Sequence, residues 1–223
     1  MSLYTFPDLG QGSDAWLAQR RGMVTASVVG QLITSKTFQV ANNDYSRGLT
    51  ATLVAERITG HTDPTYVSDD MWRGIEDEPR ARDKYAETYA PVEQVGFMVR
   101  EWDGCQLGYS PDGLVGDDGL IEVKSRRQKK HLQTILADDV PTENMAQLQC
   151  GLLVSGREFI DYISWCGGMP LYVKRVTPDP RWFKAIVAAV EQFEKEAVAI
   201  TAAYRKATDG LVMTERAVEM EMI

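Results

Sequence analysis

The chain has 223 residues, of which 44% are hydrophobic and 25% are charged, as in an ordinary globular protein. This length is sufficient for one substantial hydrophobic core, so we predict a single domain over residues 1–223. No apolar run approaches a membrane span, and the start MSLYTFPDLG lacks the pattern of a secretory signal. Composition therefore excludes disordered and membrane-spanning classes, and we expect a cytoplasmic protein.

The formal net charge is −8, which disfavours a protein that contacts nucleic-acid phosphates. Net charge does not describe distribution, however, and two basic clusters interrupt the acidic sequence, at Arg20-Arg21 and at residues 126–131. The cysteines are odd in number and widely spaced, which is typical of a reducing compartment and predicts core thiols: Cys105, Cys150 and Cys166.

The N-terminal part, about residues 1–66, is predicted to be helical. Its elements in chain order are a helix over residues 15–21, a second helix opened by Thr25 or Ser27 and running to about 33, a polar loop at 35–45, and a third helix over 45–59.

A longer helix is predicted from about Ser68 to Tyr89, and it carries Glu78 and Arg82 one turn apart on one face. Pro79 lies inside this stretch, where proline normally breaks or kinks a helix. Either the helix begins close to Glu78 with proline at its tolerated first position, or an earlier helix kinks there.

The remaining chain mixes strands and helices. The predicted elements are strands at about 92–102 and 106–110, a β-hairpin over 110–124, helices near 127–138 and 142–155, a β-pair at 159–165 and 171–176, and a helix at about 180–207. Strands embedded between helices favour an α/β or α+β domain whose central sheet has α-helices on both sides, and of these we predict an α/β domain with a mixed β-sheet. Residues 67–208 would form this core, followed by a tail at about 209–223.

The segment Ser110–Lys124 (SPDGLVGDDGLIEVK) carries the strongest chemical signal. Asp117-Asp118-Gly119 indicates a tight turn between two alternating segments, so a hairpin should bring Asp112 beside Glu122. Because side chains alternate along a strand, Glu122 and Lys124 should share one face. Paired carboxylates suit Mg²⁺ or Mn²⁺, and a neighbouring lysine can orient a water and offset charge on phosphorus. The pattern is typical of a metal-dependent nuclease centre.

Four stretches together resemble a known family. They are Trp16–Ser27, Gly74–Arg82, Ser110–Lys124 and Met145–Gln149. In this order, with the PD-(D/E)xK pattern, they resemble the phage lambda exonuclease branch of that nuclease superfamily, also called the YqaJ-like viral recombinase family. The resemblance implies a restriction-endonuclease-like core and a Mg²⁺-dependent exonuclease with two ions per active site, for which Mn²⁺ is a plausible substitute. Such an enzyme digests the 5′-ended strand of duplex DNA to 5′-mononucleotides and leaves 3′ single-stranded tails for phage-type recombination. It also implies a homotrimeric ring and a single-strand annealing protein as partner.

The resemblance further assigns roles to individual residues. The implied catalytic residues are Glu78, Asp112, Glu122, Lys124 and Gln147. The implied metal ligands are Asp112, Glu122 and the backbone carbonyl of Val123, with Glu78 acting through water. The residues matching a terminal 5′-phosphate site are Arg20, Ser27 and Ser110.

Several alternatives stay open at this point. Glu76 competes with Glu78 for the acidic helix position. The second basic cluster is either a solvated helix face or a DNA contact, through Arg126, Lys129 and Lys130. Asn144 replaces a tyrosine of the lambda enzyme, and Ser125-Arg126 replaces the common Cys-Pro, so details of substrate contact are open. The alternative functions are a structure-selective or site-specific endonuclease with the same metal centre, and a catalytically silent DNA-binding module.

Overall fold

The structure is a computed structural model and describes residues 1–64 and 66–216. The strands of this part are β1 (Ser2–Phe6), β2 (Val24–Thr25), β3 (Ile33–Thr34), β4 (Gln39–Val40), β5 (Phe97–Trp102), β6 (Cys105–Tyr109), β7 (Gly113–Val115), β8 (Gly119–Ser125), β9 (Phe159–Trp165) and β10 (Tyr172–Val176). The helices are α1 (Asp14–Arg20), α2 (Asp44–Thr59), α3 (Asp69–Thr88), α4 (Gln128–Ala137), α5 (Thr142–Ser155) and α6 (Pro180–Ala207), with a 3₁₀ helix at Val29–Leu32.

Eight strands of the described residues form two mixed sheets. One has the order β1-β5-β6-β2, in which only the β2–β6 pairing is parallel. The other has the order β10-β9-β8-β7, in which β8 and β9 run parallel between two antiparallel pairs. The short strands β3 and β4 pair with each other. The expected mixed α/β architecture with helices against both sheet faces is confirmed, and its strands are divided between these two sheets.

Strand β8 shows how the alternating sequence places the site. Ile121 and Val123 pack in one cluster with Ala81 and Tyr85 of α3. Leu120 lies on the opposite face, in the main core with residues of α5 and α6. Since side chains alternate, the two charged side chains of β8 lie on the Leu120 face, towards α5. As predicted, Ile121 and Val123 lie on one face of this strand and Glu122 and Lys124 on the other.

Helix α3 continues through Pro79. Ser68 caps its N-terminus by accepting a hydrogen bond from the backbone N–H of Met71, and the helix runs to Thr88 with Pro79 in its interior. A helix that starts close to Glu78 is therefore the wrong alternative. The long helix holds Glu78 in its middle, against β8.

The N-terminal region differs from the predicted series of helices. The prediction of a helix opened by Thr25 or Ser27 is wrong. Val24–Thr25 forms β2 beside β6, and only Val29–Leu32 is helical, as a 3₁₀ helix. Strand β1 was not expected at all. Both strands are held by β5 and β6, which are far away in sequence, so no local periodicity reveals them. Residues 209–216 of the predicted tail contain no helix or strand, and its remainder lies outside the described residues.

Two predictions from composition concern the cysteines and the apolar character of the helices. All three cysteines are buried and unpaired in disulfides, as core thiols are. No helix in residues 1–64 or 66–216 has both the length and the apolar character needed to cross a bilayer.

Candidate active site

A cavity of about 410 Å³ lies between β8, the N-terminal half of α3, helix α1, and β2 with the residues that follow it. Its wall contains every residue predicted above as catalytic, metal-binding or 5′-phosphate-binding: Arg20, Ser27, Glu78, Ser110, Asp112, Glu122, Val123, Lys124 and Gln147. These residues come from distant parts of the sequence, and the fold brings them to one place.

The β7–β8 hairpin positions Asp112. The antiparallel pairing of Gly113 with Ile121 places Asp112 beside Glu122, and the backbone N–H of Val123 donates to Asp112 Oδ2 at 2.7 Å. Burial raises the pKa of Asp112 well above its usual value, and the negative charges of Glu122 and Glu78 raise it further. The charge of Lys124 and the hydrogen bond from Val123 oppose this rise but do not cancel it.

Glu122 is 2% exposed, and both of its oxygens accept hydrogen bonds. Lys124 Nζ donates to Oε1 at 2.8 Å, and Gln147 Nε2 donates to the same oxygen. The hydroxyl of Tyr109 donates to Oε2 at 3.4 Å. Burial alone would lower the pKa of Lys124, but the charges of Glu122 and Asp112 and the hydrogen bond to Glu122 outweigh it and raise that pKa. The lysine is therefore a cation whose charge faces the carboxylate cluster.

Glu78 completes the cluster from α3. It lines the cavity, whereas Glu76 is exposed and lies outside the cavity wall. Arg82 Nη2 donates to Glu78 Oε1 at 3.1 Å, and Arg82 Nη1 donates to the backbone carbonyl of Asp112 at 2.7 Å. Burial raises the pKa of Glu78, and the charge of Glu122 adds to this effect although Arg82 opposes it. Of the two register alternatives, the geometry favours Glu78.

The donor set fits a hard divalent cation. Asp112 and Glu78 both have raised pKa values partly because carboxylates face one another, and a bound cation would relieve this repulsion. Within the described part of the chain, no three His, Cys, Asp or Glu side chains form a ready metal cage. Mg²⁺ suits such an open site, since it keeps several waters and usually takes only one or two carboxylates from the protein.

A second group of donors lies across the cavity. Arg20 Nη2 donates to Thr25 Oγ1 and to Ser27 Oγ, each at 3.1 Å, and the guanidinium stacks on the ring of Trp16 at 4.1 Å. The indole N–H of Trp16 donates to Ser110 Oγ at 2.8 Å. Burial lowers the pKa of Arg20, yet arginine stays cationic at neutral pH. A guanidinium and several hydroxyls in this arrangement can bind a phosphate dianion.

The sequence of the chain can now be placed among known proteins. It matches the family described as the YqaJ-like viral recombinase domain over residues 15–158, which is more than half of the chain and includes all four sequence blocks. The chain belongs to this family.

Solved structures agree with this assignment. The YqaJ-like chain is similar to an alkaline exonuclease, LHK-Exo, from Laribacter hongkongensis, with 30% identity and a TM-score of 0.78 over 90% of this chain and 100% of that chain. The structure of LHK-Exo in complex with dAMP matches with a TM-score of 0.77 and 30% identity, again over 90% of this chain and 100% of that chain. A phage related exonuclease from Haemophilus somnus 129PT shares the fold, with 12% identity and a TM-score of 0.62 over 82% of this chain and 96% of that chain. None of the curated proteins matches the sequence. The protein is thus a recombination-related nuclease of the exonuclease type with a restriction-endonuclease-like fold.

Three cavity residues of this YqaJ-like nuclease that hydrogen-bond to predicted site side chains were not anticipated. Trp16 and Thr25 lie in the first sequence block, but an aromatic and a β-branched side chain there suggest only core packing. Tyr109 directly precedes Ser110, and its fully buried ring is typical of a core residue. Each has a polar atom directed at a functional group, which a sequence pattern does not reveal.

The second basic cluster makes contacts within the protein. Arg126 Nη2 donates to Asn144 Oδ1 at 2.6 Å, so two residues that depart from the family pattern bind each other. Lys130 pairs with Glu143 at 2.7 Å. Lys129 is exposed and has no hydrogen-bond or ion-pair partner among the described residues. Of the three predicted DNA contacts, Arg126 is thus engaged inside the fold, and Lys129 is the most available cation.

Proposed function

We propose that this YqaJ-like nuclease is a Mg²⁺-dependent 5′-to-3′ exonuclease that acts on duplex DNA ends. It would release 5′-mononucleotides and leave 3′ single-stranded tails for recombination. The observation that carries the proposal is that one cavity contains both the carboxylate cluster of Asp112 and Glu122 and the donor set around Arg20. The dAMP bound to the relative LHK-Exo is a 5′-mononucleotide, the class of product that we propose here.

Asp112, Glu122 and the backbone carbonyl of Val123 would hold two Mg²⁺ ions, with Glu78 acting through water. When bound, such ions stabilise the attacking and leaving oxygens of an in-line displacement at phosphorus. We expect Mn²⁺ to substitute, because it has the same preference for oxygen ligands.

Lys124 and Gln147 would orient the nucleophile. Both donate to Glu122 Oε1 from opposite parts of the fold, β8 and α5. Lys124 remains protonated beside the carboxylates, so its ammonium group can direct a water at phosphorus and offset the negative charge that develops there. The amide of Gln147 can hydrogen-bond to the same water or to a phosphate oxygen.

The donor set around Arg20 would recognise the end of the DNA. Arg20, Ser27 and Ser110 can bind a terminal 5′-phosphate, whose two negative charges distinguish it from an internal phosphodiester. An enzyme that requires this group starts at an end, which separates an exonuclease from an endonuclease with the same metal centre. The homotrimeric ring implied by the family would make digestion processive, and light scattering should then give a mass three times that of one chain. A single-strand annealing protein would be the partner in recombination.

Cleavage assays test the proposal directly. The protein and a Lys124→Ala variant would be incubated with linear 5′-phosphorylated duplex, linear 5′-hydroxyl duplex and closed circular DNA, in Mg²⁺ or EDTA. We expect mononucleotides from linear DNA alone, faster from 5′-phosphorylated ends, and no product with EDTA or the variant. Nicked circles would indicate an endonuclease instead, and an absence of all cleavage would indicate a binding module.

A further inference from the structure

We propose that Glu56 and Arg57 of α2, together with Glu194 of α6, form a clamp around the Gly22 turn and thereby set the position of Arg20. These three are positioning residues, since none of them lines the cavity. The inference rests on the proposed 5′-phosphate site and extends it. The clamp would thereby determine how strongly the enzyme prefers 5′-phosphorylated ends.

The clamp binds both polar groups of one residue. The backbone N–H of Gly22 donates to Glu56 Oε2 at 2.7 Å, and Arg57 Nε donates to the backbone carbonyl of Gly22 at 2.6 Å. Two adjacent residues of α2 thus hold both sides of the turn that follows α1. Hydrogen bonds that involve a charged group are about twice as strong as neutral ones.

Arg57 also connects this turn to the longest helix. Its Nη1 and Nη2 donate to the two carboxylate oxygens of Glu194 at 2.6 and 2.7 Å, and its guanidinium lies over the ring of Phe193 at 4.9 Å. A bidentate pair of this kind fixes orientation as well as distance. Arg57 therefore fixes the position of the Gly22 turn relative to α6, whose buried residues belong to the main core.

Gly22 is suited to this close approach. Its φ of +64° lies in the left-handed region, which favours glycine. A Cβ atom at this position would lie 2.4 Å from Arg57 Cγ and 3.1 Å from the backbone oxygen of Leu53. Only a residue without a side chain lets α2 contact the turn backbone in this way.

The clamped turn lies between the two halves of the phosphate site. Arg20 ends α1 just before it, and Thr25 and Ser27 follow it. The backbone N–H of Met23 donates to the carbonyl of Arg20 at 3.1 Å and closes the turn. Fixing Gly22 therefore fixes the guanidinium of Arg20 relative to the hydroxyls that share a phosphate with it. In addition, the charge of Glu56 acts on Arg20 and opposes the lowering of its pKa by burial.

The test compares kcat/KM on 5′-phosphorylated and 5′-hydroxyl duplexes for Glu56→Ala, Arg57→Gln and Glu56→Gln. A shift of about 1 Å can cost on the order of 100-fold, so we expect the first two variants to lose roughly tenfold of the phosphate preference, mainly through KM of the phosphorylated DNA. Glu56→Gln keeps an oxygen that accepts from Gly22 and should retain the preference. Combining Glu56→Ala with Arg20→Ala should add nothing to the effect of Arg20→Ala on the preference.

Arg175→Gln is the matched control. Arg175 forms a bidentate pair with Asp161 at 2.9 and 2.8 Å and lies over the ring of Phe159, but it is not part of the cavity wall. Its loss should destabilise the protein without changing the end preference. If Glu56→Ala and Arg57→Gln lose stability but keep the preference, or if Arg175→Gln loses it equally, the clamp is only structural and the inference is wrong. Arg20→Ala tests the phosphate site separately from the clamp. If the preference for 5′-phosphorylated ends survives Arg20→Ala, the proposed phosphate site itself is wrong.

Discussion

Asp112 and Glu122 lie side by side in a buried hairpin, where the two carboxylates repel each other. The negative charge of Glu122 is compensated by hydrogen bonds from Lys124, Gln147 and Tyr109. Asp112 receives a single backbone donor, from Val123, and its pKa is raised first by burial and then by its acidic neighbours. Such an arrangement costs stability in the folded protein, and a cation would recover that cost.

Asp112→Asn should therefore abolish cleavage but stabilise the metal-free protein. The pKa of Asp112 is higher in the folded than in the unfolded state, so its ionised form opposes folding. This penalty is absent well below pH 4, grows as the pH rises above the unfolded pKa of about 3.9, and is complete above the folded pKa. Asparagine keeps the oxygen that accepts from Val123 but cannot ionise.

Thermal unfolding in EDTA measures this effect. At pH 7 we expect Tm of Asp112→Asn to exceed that of the wild type by about 2–4 °C, the shift produced by about 1 kcal/mol in a protein of this size. The difference should shrink towards pH 4, and Mg²⁺ should raise Tm of the wild type alone. A variant that is less stable than the wild type at pH 7 would contradict the prediction.

Glu78→Gln and Glu76→Gln form a matched pair of substitutions two positions apart on α3. Glu78 lines the cavity and bonds to Arg82, whereas Glu76 is exposed. We expect Glu78→Gln to reduce kcat by on the order of 100-fold or more, as for a group that acts in the transition state. Glu76→Gln should stay within about twofold of wild type, as most exposed substitutions do. Initial rates at saturating Mg²⁺ decide between the two registers, and the reverse pattern would move the role to Glu76.

At the scale of elements, the site depends on how α3 is joined to β8. Ser125, at the end of β8, donates from Oγ to Asp77 Oδ2 at 2.7 Å and accepts from Arg73 Nε at 3.0 Å. Asp77 is buried and directly precedes Glu78. One hydroxyl thus connects the strand that carries Glu122 to the helix that carries Glu78.

Ser125→Ala should loosen this connection. Asp77 would lose its closest donor, and a buried acceptor without a partner costs about 1–3 kcal/mol. We expect a fall of this size in the free energy of unfolding, measured by urea denaturation, and a rise in the Mg²⁺ concentration needed for half-maximal cleavage. Ser155→Ala serves as control, since Ser155 Oγ donates only to backbone carbonyls of its own helix. An unchanged Mg²⁺ requirement in Ser125→Ala would show that this hydroxyl does not position the proposed metal ligands.

The elements also show what the sequence could reveal. Helices α3, α5 and α6 and the β7–β8 and β9–β10 hairpins were predicted within a few residues, because periodicity and turn residues are local signals. Strand β1 was missed because four of its five residues are exposed, so it shows no buried alternation. The contacts of Gly22 with Glu56 and of Arg126 with Asn144 join segments 34 and 18 positions apart. Such contacts follow from packing and have no local sequence pattern.

For the whole molecule, the net charge of −8 has to be reconciled with a DNA substrate. Several cations of α3 and of the second basic cluster are already paired: Asp70 binds both Arg73 and Arg127, and Lys130 binds Glu143. DNA phosphates would have to replace these carboxylates, so such pairs contribute little net attraction. The DNA should therefore be attracted mainly by cations that have no acidic partner.

Lys129 is such a cation, and its contribution can be measured by salt dependence. It lies on α4, five residues after the proposed catalytic lysine, and has no ion-pair partner among the described residues. If it contacts a phosphate, Lys129→Ala should weaken binding to duplex DNA uniformly across sequences and reduce the slope of log K against log salt by about 1. Lys130→Ala should change the slope less, because it also frees Glu143.

Fluorescence anisotropy gives these slopes between low and physiological salt, with Lys124→Ala, which we expect to be inactive, as the background protein. Lys36→Ala is the control, since Lys36 is exposed on the turn between β3 and β4 and is not part of the cavity wall. A slope for Lys129→Ala equal to that of the control would leave the second basic cluster as a solvated helix face. A reduced slope would place the duplex along α4 and would explain how an acidic protein holds DNA: local unpaired cations, rather than overall charge, determine the attraction.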